Sequence, residues 1–158
     1  MNIYIKEEEV KEAKELRDKL DSVKKHEKFK CSNNYIGVLG EIVLHRYLTE
    51  KNISHKWIQF IQEGKGWNEP DFIFNEKTID LKTTKGEDMW FQKPKHDIYI
   101  HAQINEDDTV LTVDGMATRD ILNRMIEDGT AKIVKRGTRQ DYVVSPMDMI
   151  PVTLMWGN

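Results

Sequence analysis

Four residues, three acids and a lysine, break the local pattern they sit in. Glu41 is the only acid between Asn34 and Glu50, in a stretch that is otherwise largely apolar. An unpaired carboxylate on such a face is costly, so it calls for a proton, a cation or a metal. Asp71 follows Pro70 and opens a short apolar segment. Asp80 and Lys82 alternate with Ile79 and Leu81, and the two-residue period of a strand puts both on one face. Alone, that pair reads as an ordinary solvent-facing strand. The turn signal Asn75-Glu76 changes the reading, because a hairpin brings Asp71 beside the later residues of the next strand. Two carboxylates that close repel unless a divalent cation lies between them. Mg²⁺ takes such oxygen ligands and can stabilise the charge that builds on a phosphodiester during in-line attack. Lys82, on the same face, could orient or deprotonate the attacking water, or stabilise the pentavalent phosphate.

The elements that must position these groups follow from periodicity. Apolar residues at Val10, Ala13, Leu16, Leu20 and Val23 predict a charged surface helix over residues 7–25. A second helix is predicted over 34–50, with Asn34 as its N-cap. It is apolar nearly all round, hence largely buried, and Gly37 and Gly40 within it allow something to approach closely. Strands are expected at 55–61, 71–74, 78–84, 97–104 and 110–113. Along 97–104, Ile98, Ile100, Ala102 and Ile104 take one face and Tyr99, His101 and Gln103 the other. Thr118 caps a helix that Gly129 stops, and late strands are expected at 131–134 and 142–144. With a short helix between the hairpin and the strand after it, the order is α-α-β-β-β-α-β-β-α-β-β, a mixed α+β domain.

The length, 158 residues, predicts one domain, residues 1–158, with 1–30 as an N-terminal helical extension. No apolar run is long enough to span a bilayer, and the acidic start is no secretory signal. A single cysteine, Cys31, offers no internal disulfide and no cysteine-based metal site, so a cytoplasmic location is expected. The net charge of −3 argues against nucleic acid on its face, because phosphate binding needs local positive charge. The charge is unevenly distributed, however: residues 24–30 hold four lysines and residues 132–139 hold four basic residues and no acid.

Glu41 on a helix, then Pro70-Asp71, then Asp80-Leu81-Lys82, resembles the signature of the PD-(D/E)xK nucleases, the restriction-endonuclease-like superfamily. Asp71 and Asp80 are nine positions apart, as a short hairpin requires. The resemblance implies a central mixed sheet flanked by helices, with an α-β-β-β-α-β core running from about Asn34 to Ile104. It implies a Mg²⁺ site, with Mn²⁺ able to substitute, held by Asp71, Asp80 and the Leu81 carbonyl, with Glu41 bound directly or through water. Lys82 becomes the catalytic lysine and DNA the substrate. Gly115-Met116-Ala117-Thr118 before a helix, and Ile150-Pro151 after a strand, are similar to segments of small phage nucleases. A phage origin would put the protein in the host cytoplasm. Gln92 is followed by His96 rather than by the tyrosine of the helicase-linked exonuclease branch.

Other residues carry weaker signals. Thr83, Thr84 and Lys85 continue the active strand and could bind phosphate, Lys85 foremost. Lys93 and Lys95, with Gln92 and His96, could track the backbone or simply be solvated. His45, one helical turn after Glu41, could hold that carboxylate or touch phosphate, though a hydrogen-bonded histidine at the core's edge is the plainer reading. Trp90 and Phe91 could stack on bases or pack in the core. The leading expectation is an endonuclease, perhaps on branched DNA and acting as a homodimer, since cutting two strands needs two sites. The alternatives are an exonuclease of the same superfamily, a catalytically inactive DNA- or protein-binding domain with this fold, or an unrelated α+β interaction domain with an accidental match.

Overall fold

The computed structural model describes residues 1–23, 35–59 and 69–152. The Asn34 cap, the 24–30 lysine cluster, Cys31 and residues 60–61 of the strand expected at 55–61 lie outside the described residues.

The chain forms β1 (Asn2–Tyr4), α1 (Glu7–Val23), α2 (Tyr35–Glu50), β2 (Lys56–Trp57), β3 (Phe72–Phe74), β4 (Lys77–Thr84), β5 (Met89–Phe91), β6 (Ile98–Ile104), β7 (Val110–Thr118), α3 (Arg119–Glu127), β8 (Lys132–Arg136) and β9 (Arg139–Val144). Six strands make a main sheet in the order β1-β7-β6-β4-β3-β2, and three make a smaller one, β5-β9-β8. In the main sheet β4 and β6 run parallel, and the other pairs are antiparallel. The fold is mixed α+β.

The expected order is present with four differences. The N-terminal segment is not helical throughout: β1 pairs with β7 and belongs to the main sheet. Of the strand expected at 55–61, the described residues 55–59 form only Lys56–Trp57. No helix is found between β4 and β6; β5 occupies that connection and joins the small sheet. Met89 and Phe91 are buried there with Trp90 between them exposed, a strand period too short to stand out. β7 runs to Thr118 rather than ending near 113, because Gly115 interrupts an alternation that the β6 ladder nevertheless continues across a bulge. Thr118 does cap α3, accepting the Ile121 N–H, and Gly129 follows the helix at φ 83°.

α2 lies on the face of the main sheet that carries Ile79, Leu81, Ile100, Ala102 and Ile104, and α1 packs outside it. Arg46 of α2 bonds the buried Glu9 of α1 at 2.7 Å. The other sheet face, with Tyr99, packs on Met89, Phe91, Leu122, Met125 and Val144 to make a second core. The close approach that the helical glycines suggested is real at Gly40. A Cβ there would overlap Thr83 Oγ1 and lie 2.8 Å from Thr83 Cγ2. Gly40→Ala is therefore expected to force α2 off β4, at about 1–3 kcal/mol, the usual cost of overpacking. Thermal melts would read it as a fall of roughly 2–4 °C per kcal/mol for a chain this long. An unchanged melting temperature would mean that the helix and strand are less tightly seated than described.

Candidate active site

Asn75 and Glu76 both adopt positive φ, 46° and 62°, so β3 and β4 are joined by a two-residue turn of the kind that suits a tight hairpin. Phe72 stands opposite Ile79, and β3 covers β4 only that far. Asp71 then does what a longer β3 would have done. Its N–H donates to the Ile79 carbonyl at 2.9 Å, and its Oδ2 accepts the Leu81 N–H at 2.7 Å. The Asp71 carboxylate is thereby pinned to the edge of β4, beside Asp80. In an antiparallel strand a residue's N–H and C=O point the same way, so the Leu81 carbonyl also turns to this edge.

Asp80 and Lys82 share a face, as their spacing requires. Lys82 Nζ donates to Asp80 Oδ1 at 2.8 Å and lies 2.7 Å from Oδ2, so it holds both oxygens. Burial alone would push the Lys82 ammonium toward its neutral form. The charge and hydrogen bond of Asp80, with smaller contributions from Asp71 and Tyr99, together outweigh that, and the net shift is upward. Lys82 is an ammonium ion here. For Asp71 the balance goes the other way. Burial pushes its carboxyl well above the usual carboxylate range, and the charges of Glu41 and Asp80 push in the same direction. The Leu81 N–H and Lys82 oppose them without winning.

Glu41 reaches this field from α2, its Oε2 accepting from Trp57 Nε1 at 3.3 Å. Trp57 in turn stacks on His45 at 4.5 Å between ring centroids. His45 Nδ1 lies 2.8 Å from His55 Nε2, and His55 Nδ1 lies 2.7 Å from the Ile53 carbonyl. A carbonyl only accepts, so His55 Nδ1 carries its proton and, in the neutral ring, Nε2 receives the His45 N–H. Burial, then the neighbouring His55, lowers the His45 pKa. His45 is thus a neutral brace behind Trp57, the plainer of its two readings.

The four signature residues therefore share one neighbourhood beside the middle of β4, where β3 stops covering it. Their side chains do not stand as a ready ligand shell: among the described residues no three His, Cys, Asp or Glu groups are gathered closely enough to hold a metal ion. The cation at Asp80 is Lys82, and the Asp71 pKa is raised by burial and then by the charges of Glu41 and Asp80. The donor set is nonetheless all oxygen and mutually repulsive, which is the chemistry a hard divalent ion neutralises.

The proposed phosphate contacts fare unevenly. Lys85 is already matched, 3.0 Å from Asp108 and donating to the Glu106 carbonyl at 2.9 Å. Asp108 also accepts from Tyr35 at 2.6 Å, and that bond is the largest cause raising the Tyr35 pKa to about 12. Thr83 Oγ1 is buried against Gly40 and has no hydrogen-bond partner among the described residues, while Thr84 Oγ1 accepts the Gly86 N–H. Lys93 and Lys95 are exposed on the connection between β5 and β6.

A cleft of about 430 Å³ opens beside Lys82 and Thr84, with Trp90, Arg136 and Arg139 on its far side and His101 in its lining. Of these, Arg136, Arg139 and His101 were not among the predicted site residues, and Trp90 was weighed only as a stacking or core residue. The basic run at 132–139 was visible in the sequence; its position across from Lys82 depends on the small sheet, which was not. His101 is fully buried, with Nδ1 2.7 Å from Asp114 Oδ1. Its Nε2 finds no partner among the described residues, an omission that ordinarily costs about 1–3 kcal/mol. Only the bulge that swings Asp114 beside His101 reveals the pair.

No family model, curated protein or solved structure matches the chain.

Proposed function

We propose that this chain is a Mg²⁺-dependent deoxyribonuclease of the PD-(D/E)xK type, a restriction-endonuclease-like fold, that cuts within DNA strands. One observation carries the reading: Asp71 is pinned by the Leu81 N–H at the edge of β4, in the field of both Glu41 and Asp80, with the Lys82 ammonium on the Asp80 face. The antiparallel β2-β3-β4 meander after α2, with β6 added parallel to β4, also fits that core. The connection before β6 departs from it, carrying a strand where the superfamily has a helix.

Asp71, Asp80, the Leu81 carbonyl and Glu41 would hold the ion. When bound, it supplies Lewis-acid stabilisation of the charge that develops on the phosphate. The rest falls to the chain. Lys82, held on the Asp80 face, would orient or deprotonate the attacking water, or hydrogen-bond a non-bridging phosphate oxygen. The Leu81 N–H fixes Asp71, and Trp57, braced by His45, fixes Glu41. A homodimer in the cytoplasm, or in the host cytoplasm for a phage protein, accompanies this reading.

The test is cleavage of linear, nicked, flapped and four-way DNA by the purified protein. Internal cuts with Mg²⁺ or Mn²⁺, and none with EDTA, are expected. Mononucleotides released from ends would make it an exonuclease. Tight binding without cleavage under every metal condition would leave an inactive DNA-binding domain and defeat the enzymatic reading.

A further inference from the structure

The small sheet has two unlike faces. Register places Trp90 opposite Val143, Val134 opposite Asp141 and Arg136 opposite Arg139. Strand alternation then puts Trp90, Lys132, Val134, Arg136, Arg139 and Asp141 on one face. The other face carries Met89, Phe91, Tyr142 and Val144 into the second core. The first face is therefore the one turned to the cleft, where Arg136 and Arg139 look across to Lys82 and Thr84.

This face is built to present cations. The Arg136 guanidinium lies 4.5 Å from the centroid of the Trp90 ring, and Trp90 is itself exposed. Arg139 is anchored through Nε to the buried Asp141 at 2.7 Å, while its side chain stays 61% exposed. A guanidinium has five N–H donors, so most of those on Arg139 remain available for a polyanion. Lys132 continues the same row, exposed. On a chain of net charge −3, residues 132–139 hold four cations and no acid. Such a concentration beside a cleft attracts phosphates.

Resting on the nuclease reading, we infer that the cleft-facing side of the β8–β9 hairpin is the track for the nucleic-acid backbone. Arg136, Arg139 and Lys132 take the phosphates that flank the one presented to Lys82. Lys135, on the same strand but the opposite face, is outside the track. This separates a built surface from diffuse charge, since neighbouring lysines on one strand should differ in effect.

The test needs no catalysis. Binding of fluorescein-labelled single-stranded and duplex DNA is followed by anisotropy in EDTA across a salt series. The Lys132→Ala/Arg136→Ala protein is expected to bind about tenfold more weakly. Its duplex salt slope should flatten by about 1.8, from two lost phosphate contacts at roughly 0.9 each. Lys135→Ala should stay within about twofold of the wild type. All three positions are exposed, and circular dichroism checks that each variant is folded. Equal losses in Lys135→Ala and the double variant, an unchanged double variant, or preference for polyglutamate over DNA would each overturn the inference. If the wild type cleaves DNA while the double variant binds and cuts normally, the track alone falls. If the wild type neither binds nor cuts, the nuclease reading falls with it.

Discussion

With Asp80 changed to asparagine, Mg²⁺-dependent cleavage is expected to drop at least about 10³-fold, the order lost when several kcal/mol of metal-borne stabilisation goes. Asparagine keeps the shape and one oxygen, so packing should survive. What it removes is the charge, and the charge does two things here. On the proposed reading it is a ligand, and it is the foremost influence raising the Lys82 pKa against the pull of burial. Without it the Lys82 pKa should fall. Lys82→Met should lose a similar factor in rate for a different reason and move metal affinity the other way. Both Asp80 oxygens are held by Nζ in the wild type. Freed of the ammonium, they should bind Mn²⁺ more tightly in calorimetry. A well-folded Asp80→Asn protein that cuts at the wild-type rate would sink the site. Weaker Mn²⁺ binding by Lys82→Met would show that lysine and metal do not compete for Asp80.

How much of this could be read beforehand depends on the range of the interaction. Strand period alone fixed the Asp80 and Lys82 face, and Asn75-Glu76 gave the hairpin, because both signals lie within a few residues. The all-round apolarity of α2 foretold its burial, and Gly40 foretold a close neighbour, though not that it would be Thr83. Contacts made across the fold were illegible. Nothing in the local sequence says that Asp108 holds Lys85, that His55 supports His45, or that Trp57 donates to Glu41. The small sheet was missed for the same reason. Its strands come from residues 89–91 and 132–144, and only their pairing turns a basic run into a wall of the cleft.

Asp71→Asn should abolish cleavage and, at neutral pH, raise stability. The wild-type carboxyl has its pKa raised in the folded protein by burial and by the charges of Glu41 and Asp80. A group raised on folding contributes its stability in full below its unfolded pKa and loses it as pH climbs through the folded value. Asparagine stays neutral throughout and retains an oxygen to accept the Leu81 N–H. Melting curves of the two proteins should therefore nearly coincide in acid. They should separate from the ordinary carboxylate range upward, in favour of the variant, until pH passes the raised value. Each kcal/mol would show as roughly 2–4 °C. Mg²⁺ should reverse the order by acting only on the wild type, because an ion that binds the folded state alone raises its melting temperature. A variant less stable than the wild type at every pH would mean that Asp71 is under no like-charge strain. Equal Mg²⁺ stabilisation of both proteins would put the ion elsewhere. The expected pattern would explain why a carboxylate stands where an amide fits better: the repulsion that burdens the fold without metal is the same field that would draw in a divalent cation.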